Sequence, residues 1–320
     1  MTRILVTGAA GFVGRALCRA LAAGGIEVSG AVRAGGDIGG GVETRIIGDL
    51  RDAVKTPEFL NGIDCVVHAA ARVHQMDKTG PEELDSYLRD NTETTRRLAE
   101  SAVTAGVRRL VFLSSIKANG EETATPYTEN TPPRPEDAYG ISKLQAEQAL
   151  GEIAAATGLE TVILRPPLIY GPGVRANFLS LLRLADSPIP LPLGGLNRNA
   201  RSLLYLGNLL SAIRCTLDHP DAAGRTYLLR DGDDPSTAML VRKLRQALGR
   251  PARLMPVPAS LIGAAARVAG RGAVMRRING SLTVDDTAIR HELGWRPPFT
   301  LDQGLAATAA WFRTLHATHH

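Results

Sequence analysis

The stretch Ile4-Leu5-Val6-Thr7-Gly8-Ala9-Ala10-Gly11-Phe12-Val13-Gly14 restricts this chain to a small set of folds. An apolar, strand-like run enters a turn at Gly8 and leaves it as a helix pattern through Leu17 and Leu21. Glycine at positions 8, 11 and 14 removes the Cβ where the chain must turn sharply and where a diphosphate must approach the backbone. The helix that follows aims unpaired N–H groups and the positive end of its dipole at that anion. Three glycines at this spacing are a weak signal alone. Directly after a strand and opening a helix, they read as a dinucleotide-binding turn.

The rest of the first half repeats the same alternation. Strand patterns fall at Arg3–Val6, Glu27–Val32, Thr44–Ile47, Cys65–His68, Arg109–Leu113 and Glu160–Leu164. Helix patterns cover Gly11–Ala23, Glu82–Ala105 and Tyr139–Thr157, with a short one near Pro57–Leu60. Short apolar runs separated by amphipathic helices predict an α/β fold, a doubly wound Rossmann-type parallel sheet covered on both faces. After Arg165 the texture changes, with Pro166, Pro167, Pro172, Pro188, Pro190 and Pro192 breaking the alternation. Residues 1–165 are therefore expected to form the dinucleotide-binding domain. Residues 166–320 are expected to form a smaller, irregular C-terminal substrate lobe, with some elements crossing back.

Composition excludes several classes. The net charge of +5 is spread along the chain with no Lys/Arg block, so no nucleic-acid partner is expected. Cys18, Cys65 and Cys215 lie in apolar runs and read as reduced core thiols, neither a disulfide set nor a metal site. No apolar run has the length of a membrane span, and the first strand begins at once. The expectation is a cytoplasmic protein with no membrane association and no metal.

Tyr139-Gly140-Ile141-Ser142-Lys143 is the second signature. Residues four apart on a helix share a face, so Tyr139 and Lys143 point the same way. A phenol titrates near 10 and is a poor acid–base group at neutral pH. A neighbouring ammonium, together with a positive nicotinamide ring, favours the phenolate and brings the group into working range.

Together these residues resemble the extended short-chain dehydrogenases/reductases of the NAD-dependent epimerase/dehydratase type. The resemblance covers nearly the whole chain. It rests on Thr7 to Gly14, Gly48-Asp49-Leu50, His68-Ala69-Ala70-Ala71, Asn91, Leu113-Ser114-Ser115, Tyr139 with Lys143, Arg165-Pro166 through Pro172, and Asp285 through Trp295. It implies that Tyr139 is the general acid/base, that Lys143 holds the nicotinamide ribose and tunes Tyr139, and that Ser115 hydrogen-bonds the reacting sugar oxygen, with Ser114 as the fallback. It places Gly8, Gly11, Phe12, Val13, Gly14, Asp49, Leu50, Ala69, Ala70, Ala71, Asn91 and Pro166 along the cofactor. It gives Asn177 to the substrate and Arg201 to the nucleotide diphosphate, whose oxygens a guanidinium fork meets in pairs. Arg276 and Arg277 read as solvated helix charges, and His68 as a buried, hydrogen-bonded histidine.

One position departs from the NAD-using pattern. Where an acid would bond the adenosine ribose, this chain reads Val32-Arg33. Arg33 is placed to meet a 2′-phosphate, which favours NADP(H), with NAD(H) possible. The reaction implied is hydride transfer at C4 of a UDP-sugar. The leading expectation is a reductase of UDP-4-keto-6-deoxy-HexNAc in surface-polysaccharide synthesis. The alternative is a UDP-Glc/UDP-GlcNAc 4-epimerase, and the remote one a cofactor-binding scaffold without turnover. Relatives pair through two long helices, so a homodimer is expected.

Overall fold

The strands of the first half lie parallel, side by side, with the glycine-rich turn at the centre. The computed structural model describes residues 2–72, 81–268 and 278–317. Within them a 7-stranded sheet has the order β3-β2-β1-β4-β5-β6-β9. Its strands are β1 (Ile4–Thr7), β2 (Val28–Val32), β3 (Glu43–Ile46), β4 (Cys65–His68), β5 (Arg109–Leu113), β6 (Glu160–Arg165) and β9 (Arg225–Leu228). Every residue of β1, β2, β4 and β5 is buried, as unbroken apolar runs require when both sheet faces are covered.

Alternate residues of each strand face opposite layers. On one face, Val6, Val67 and Val111 pack with Leu17 of α1 (Phe12–Ala23) and Leu209 and Ile213 of α7 (Leu206–Asp218). On the other, Leu5, Val66 and Leu110 meet Leu98 of α4 (Thr94–Thr104) and Ala146 and Leu150 of α5 (Ala138–Thr157). Strand order reverses between β1 and β4, and a crevice opens there at the carboxyl ends of the strands. The expected Rossmann-type fold is the one observed.

Three features add to or differ from expectation. The helix expected over Glu82–Ala105 is divided into α3 (Pro81–Tyr87), a π-helical stretch Leu88–Glu93, and α4. Asn91 sits inside the π stretch with its side chain buried. Apolar periodicity continues across such a turn, so the pattern does not reveal it. Secondly, elements cross back over the division at residue 165, as expected of some of them. The strand Arg225–Leu228 joins the large sheet beside β6, with Val162 opposite Arg225, and α7 covers the same sheet. Thirdly, the second half holds elements beyond those expected. A strand β7 (Leu168–Tyr170) pairs parallel with β8 (Leu203–Tyr205). The helix α11 (Leu301–Ala317) packs Leu305 and Phe312 against Phe178 of α6 (Ala176–Ala185) and Leu244 of α8 (Thr237–Ala247).

Cys18 and Cys65 are buried and Cys215 half-buried. Burial pushes the Cys18 and Cys65 thiols up to about 12, so they stay protonated. Among the described residues no helix is long and apolar enough to cross a membrane, and no His/Cys/Asp/Glu group is arranged to hold a metal ion.

Candidate active site

The turn after β1 is built by close backbone contact. Gly8 has φ +71°, a conformation glycine adopts at no steric cost, and its carbonyl accepts from the Gly11 N–H at 2.8 Å. A Cβ at Gly8 would stand 2.8 Å from Ala70 Cα, and one at Gly14 would stand 2.2 Å from the Gly8 oxygen. The Ala69–Ala70 backbone thus lies directly against the turn. Helix α1 begins at Gly11 with no side-chain cap and no acid in its first turn. Its leading N–H groups have no competing carboxylate, which suits a diphosphate. Phe12 and Val13 form the first turn, and the Phe12 ring comes within 3.5 Å of where a Gly173 Cβ would be. The glycine turn therefore touches the second half of the chain.

Beside this turn, Val32 is buried at the end of β2 and the Arg33 side chain is 82% exposed, 3.8 Å from Asp49. Asp49 caps the short helix α2 (Leu50–Ala53), accepting from the Arg51 N–H at 3.0 Å. It also pairs with the Arg51 guanidinium at 2.9 Å. Arg51 above all, through that bond, and Arg33 hold the Asp49 carboxyl down at about 2. Leu50 is half-buried against the core.

Tyr139, the expected acid–base group, stands where β5 meets α5. Ser115 follows the last strand residues and begins a 3-10 turn, Ile116–Ala118. The Ile116 N–H donates to the Pro166 carbonyl at 3.0 Å, which ties this turn to the end of β6. Asp137 caps α5, accepting from the Gly140 N–H at 2.7 Å, and so sets Tyr139 in the first helical turn. Burial and the Asp137 carboxylate raise the Tyr139 phenol above its usual value, and a hydrogen bond from Ser115 works against them. Lys143, one turn on, donates to the Leu113 carbonyl at 2.8 Å and lies 4.4 Å from the Phe112 ring centre. Burial lowers Lys143 to about 7, and Glu147 opposes that fall.

The structure brings Ser115, Tyr139 and Lys143 into one group. Ser114 is turned the other way, its hydroxyl donating to Glu147. His68 is bonded to Thr7 at 2.7 Å and Thr95 at 3.0 Å, and burial lowers it to about 3, so it is a neutral core residue. Asn91 accepts from the Arg72 N–H at 2.8 Å and donates to the Arg72 carbonyl at 3.2 Å and the Ser142 hydroxyl at 2.9 Å. Its side chain thus joins the segment after β4, at Arg72, to α5, at Ser142.

In the second half, Asn177 is exposed in the first turn of α6, next to Ala176, which has φ +50°. Arg201 donates from Nη1 to the Gly280 carbonyl at 3.0 Å. Burial lowers its pKa, while the Glu122 and Glu121 charges favour its guanidinium form. A cleft of about 500 Å³ is lined by Glu122, Arg198, Asn199 and Asn279. Arg276 and Arg277 lie outside the described residues. Sequence reasoning passed over Glu147, and took Arg165 and Asn119 as motif residues without a role of their own. The signal for Glu147 was its spacing, four residues beyond Lys143 and eight beyond Tyr139 on one helix.

The profile of the NAD dependent epimerase/dehydratase family matches residues 4–229. The chain belongs to that family. It is an NAD-dependent enzyme of the epimerase/dehydratase type, as the resemblance implied. This family member is 41% identical over 312 residues to UDP-glucose 4-epimerase of Vibrio cholerae, covering 97% of this chain and 95% of that one. It is 30% identical over 331 residues to dTDP-glucose 4,6-dehydratase of Streptomyces griseus, covering 97% and 94%. A short-chain dehydrogenase/reductase superfamily protein of Agrobacterium tumefaciens, solved with bound NAD, superposes at TM-score 0.76 and 27% identity, covering 99% of this chain and 100% of that one.

Proposed function

We propose that this enzyme is a UDP-hexose 4-epimerase, acting on UDP-glucose or UDP-N-acetylglucosamine with a retained dinucleotide. The observation that carries the reading is 41% identity to an epimerase along 97% of the chain, joined to an intact Ser115, Tyr139 and Lys143 group. This reverses the order of the two leading expectations. The turn at Gly8, the uncapped α1 and the small Ala69–Ala71 surface fit a dinucleotide diphosphate. Bound NAD supplies the hydride acceptor and later the donor.

The chain's own residues supply the rest. Tyr139 takes the proton of the sugar 4-hydroxyl and returns it after the keto sugar turns its other face. Ser115, beside Tyr139, donates to the same sugar oxygen. Lys143 favours the phenolate. Burial and Asp137 hold the Tyr139 phenol up, and the positive charge of an oxidised nicotinamide, when bound, would favour the phenolate. Arg201 grips the UDP diphosphate and Asn177 contacts the substrate from α6. Two such chains pair through α4 and α5.

A second reading, the NADPH-dependent reductase of a UDP-4-keto sugar, draws on Arg33. Its guanidinium is exposed at the end of β2, next to an uncharged Val32, where a 2′-phosphate would meet it. One experiment separates the two. Protein as purified, given UDP-glucose or UDP-N-acetylglucosamine without added cofactor, should interconvert the C4 epimers. No interconversion, with NADPH consumed by a UDP-4-keto sugar, would establish the reductase instead.

A further inference from the structure

Lys143 is almost wholly buried, 1% exposed, and one turn further along α5 stands a second buried charge, Glu147, 6% exposed. Both reach the same end of β5. Lys143 holds the Leu113 carbonyl at 2.8 Å, and the Glu147 carboxylate accepts from the hydroxyl of the next residue, Ser114. The residue after that is Ser115. Glu147 is itself held by Arg165 of β6, whose Nε donates at 3.0 and 3.2 Å and whose Nη1 donates to Asn119 at 3.0 Å. The carboxylate is therefore fixed from two sides, by Arg165 of β6 and by Ser114 at the end of β5, next to Ser115.

We propose that Glu147 is a positioning residue of this centre, setting Ser115 against Tyr139 through Ser114 and placing a negative charge behind Lys143. The proposal rests on the reading that Ser115, Tyr139 and Lys143 carry hydride-coupled proton transfer. Charged and titratable groups face Lys143 from each packed element. On α5 they are Tyr139, its ring centre 5.9 Å away, and Glu147. From β4 comes His68, neutral between two threonines. Arg165 of β6 stands behind Glu147. Asp137, at the start of α5, is bound to Lys117, and Tyr87 of α3 meets Tyr139 edge-on. Among these, Glu147 is the acid whose charge favours the Lys143 ammonium, against the burial that disfavours it. A purely structural ion pair would hold β5, β6 and α5 together but would leave the titration of Lys143 where it is.

The test uses the full chain. Glu147→Gln keeps the size and an acceptor for Ser114 but removes the charge. Glu147→Gln with Arg165→Met removes both buried charges and avoids an unpaired guanidinium. Turnover and NAD(H) affinity, read from nicotinamide fluorescence, are measured between about pH 6 and 10. The alkaline limb of both should move down by about one pH unit, a tenfold change in the ammonium fraction above it, with KM for the UDP-sugar changed less than kcat. Folded variants with an unmoved limb overturn the electrostatic role. Ser114→Ala, which keeps both charges, should lower kcat several-fold with the limb unmoved. Unchanged kcat there overturns the positioning role even if the Glu147 variants do not fold. Wild-type protein that binds NAD(H) but turns over no sugar nucleotide would defeat the functional reading alone, because the affinity limb still reports on Glu147.

Discussion

The Lys143 ammonium lies 5.9 Å from the centre of the Tyr139 ring, one turn along the same helix. Neither group has its usual proton affinity. Burial pulls the ammonium down to about 7 and pushes the phenol up. Both shifts disfavour the charged form, so burial moves the pair away from phenolate and ammonium, and the positive ring of a bound oxidised nicotinamide would act in the opposite direction.

Removing the phenol hydroxyl tests that arrangement most directly. Tyr139→Phe should lower turnover by about two to four orders of magnitude, the usual contribution of a positioned acid–base group. Cofactor affinity, measured by fluorescence titration, should stay close to wild type. Normal turnover would place the acid–base group elsewhere.

Gly140 reports on the joint between α5 and the Ser115 turn. A Cβ there would stand 2.5 Å from the Lys117 carbonyl oxygen, a backbone atom. Gly140→Ala should force the two segments apart, lowering unfolding free energy by about 1–3 kcal/mol. Because Ser115 would be displaced from Tyr139, kcat should fall by about a hundredfold. Urea unfolding and steady-state kinetics on one preparation check both, and a variant equal to wild type in each refutes the contact.

His68 predicts a pH dependence of stability. Burial, helped by the Lys143 charge, lowers it from 6.5 to about 3. Below pH 6.5 the unfolded chain takes up a proton that the folded chain refuses. The contribution of His68 is therefore complete above 6.5 and is lost as pH falls toward 3. The stability advantage of wild type over His68→Gln should shrink by about 2 kcal/mol between about pH 7 and 5. A constant difference would mean that His68 titrates normally.

Cofactor choice turns on Arg33. If the exposed guanidinium meets a 2′-phosphate, NADPH should bind about tenfold to a hundredfold more tightly than NADH, roughly 1.4–2.8 kcal/mol. Val32→Asp with Arg33→Asn should then reverse the order, since Asp accepts from both ribose hydroxyls and repels the phosphate. Equal binding, or tighter NADH, makes Arg33 a bystander and strengthens the epimerase reading.

The parts of this protein legible in its sequence are those that local chemistry determines. Gly8 marks the turn by its positive φ, and Gly11 and Gly14 because a Cβ there would crowd the Gly8 carbonyl a few residues earlier. The apolar runs of β1, β4 and β5 mark a sheet covered on both faces because burial on both faces removes alternation. Tyr139 and Lys143 are paired by the helical repeat alone. The remaining decisions needed contacts between distant residues. That Arg225–Leu228 closes the large sheet depends on β6 offering it a free edge 63 residues earlier at Val162. That a π-helical stretch interrupts the helix at Asn91 depends on Arg72 and Ser142 receiving its amide. That the Ser114 hydroxyl finds its partner in Glu147, itself held by Arg165, depends on α5 and β6 meeting the end of β5. Sequence periodicity records which face of an element is apolar. Which buried polar groups satisfy one another is decided only when the elements meet, because an unpaired polar group in the core is costly and its partner lies on another element.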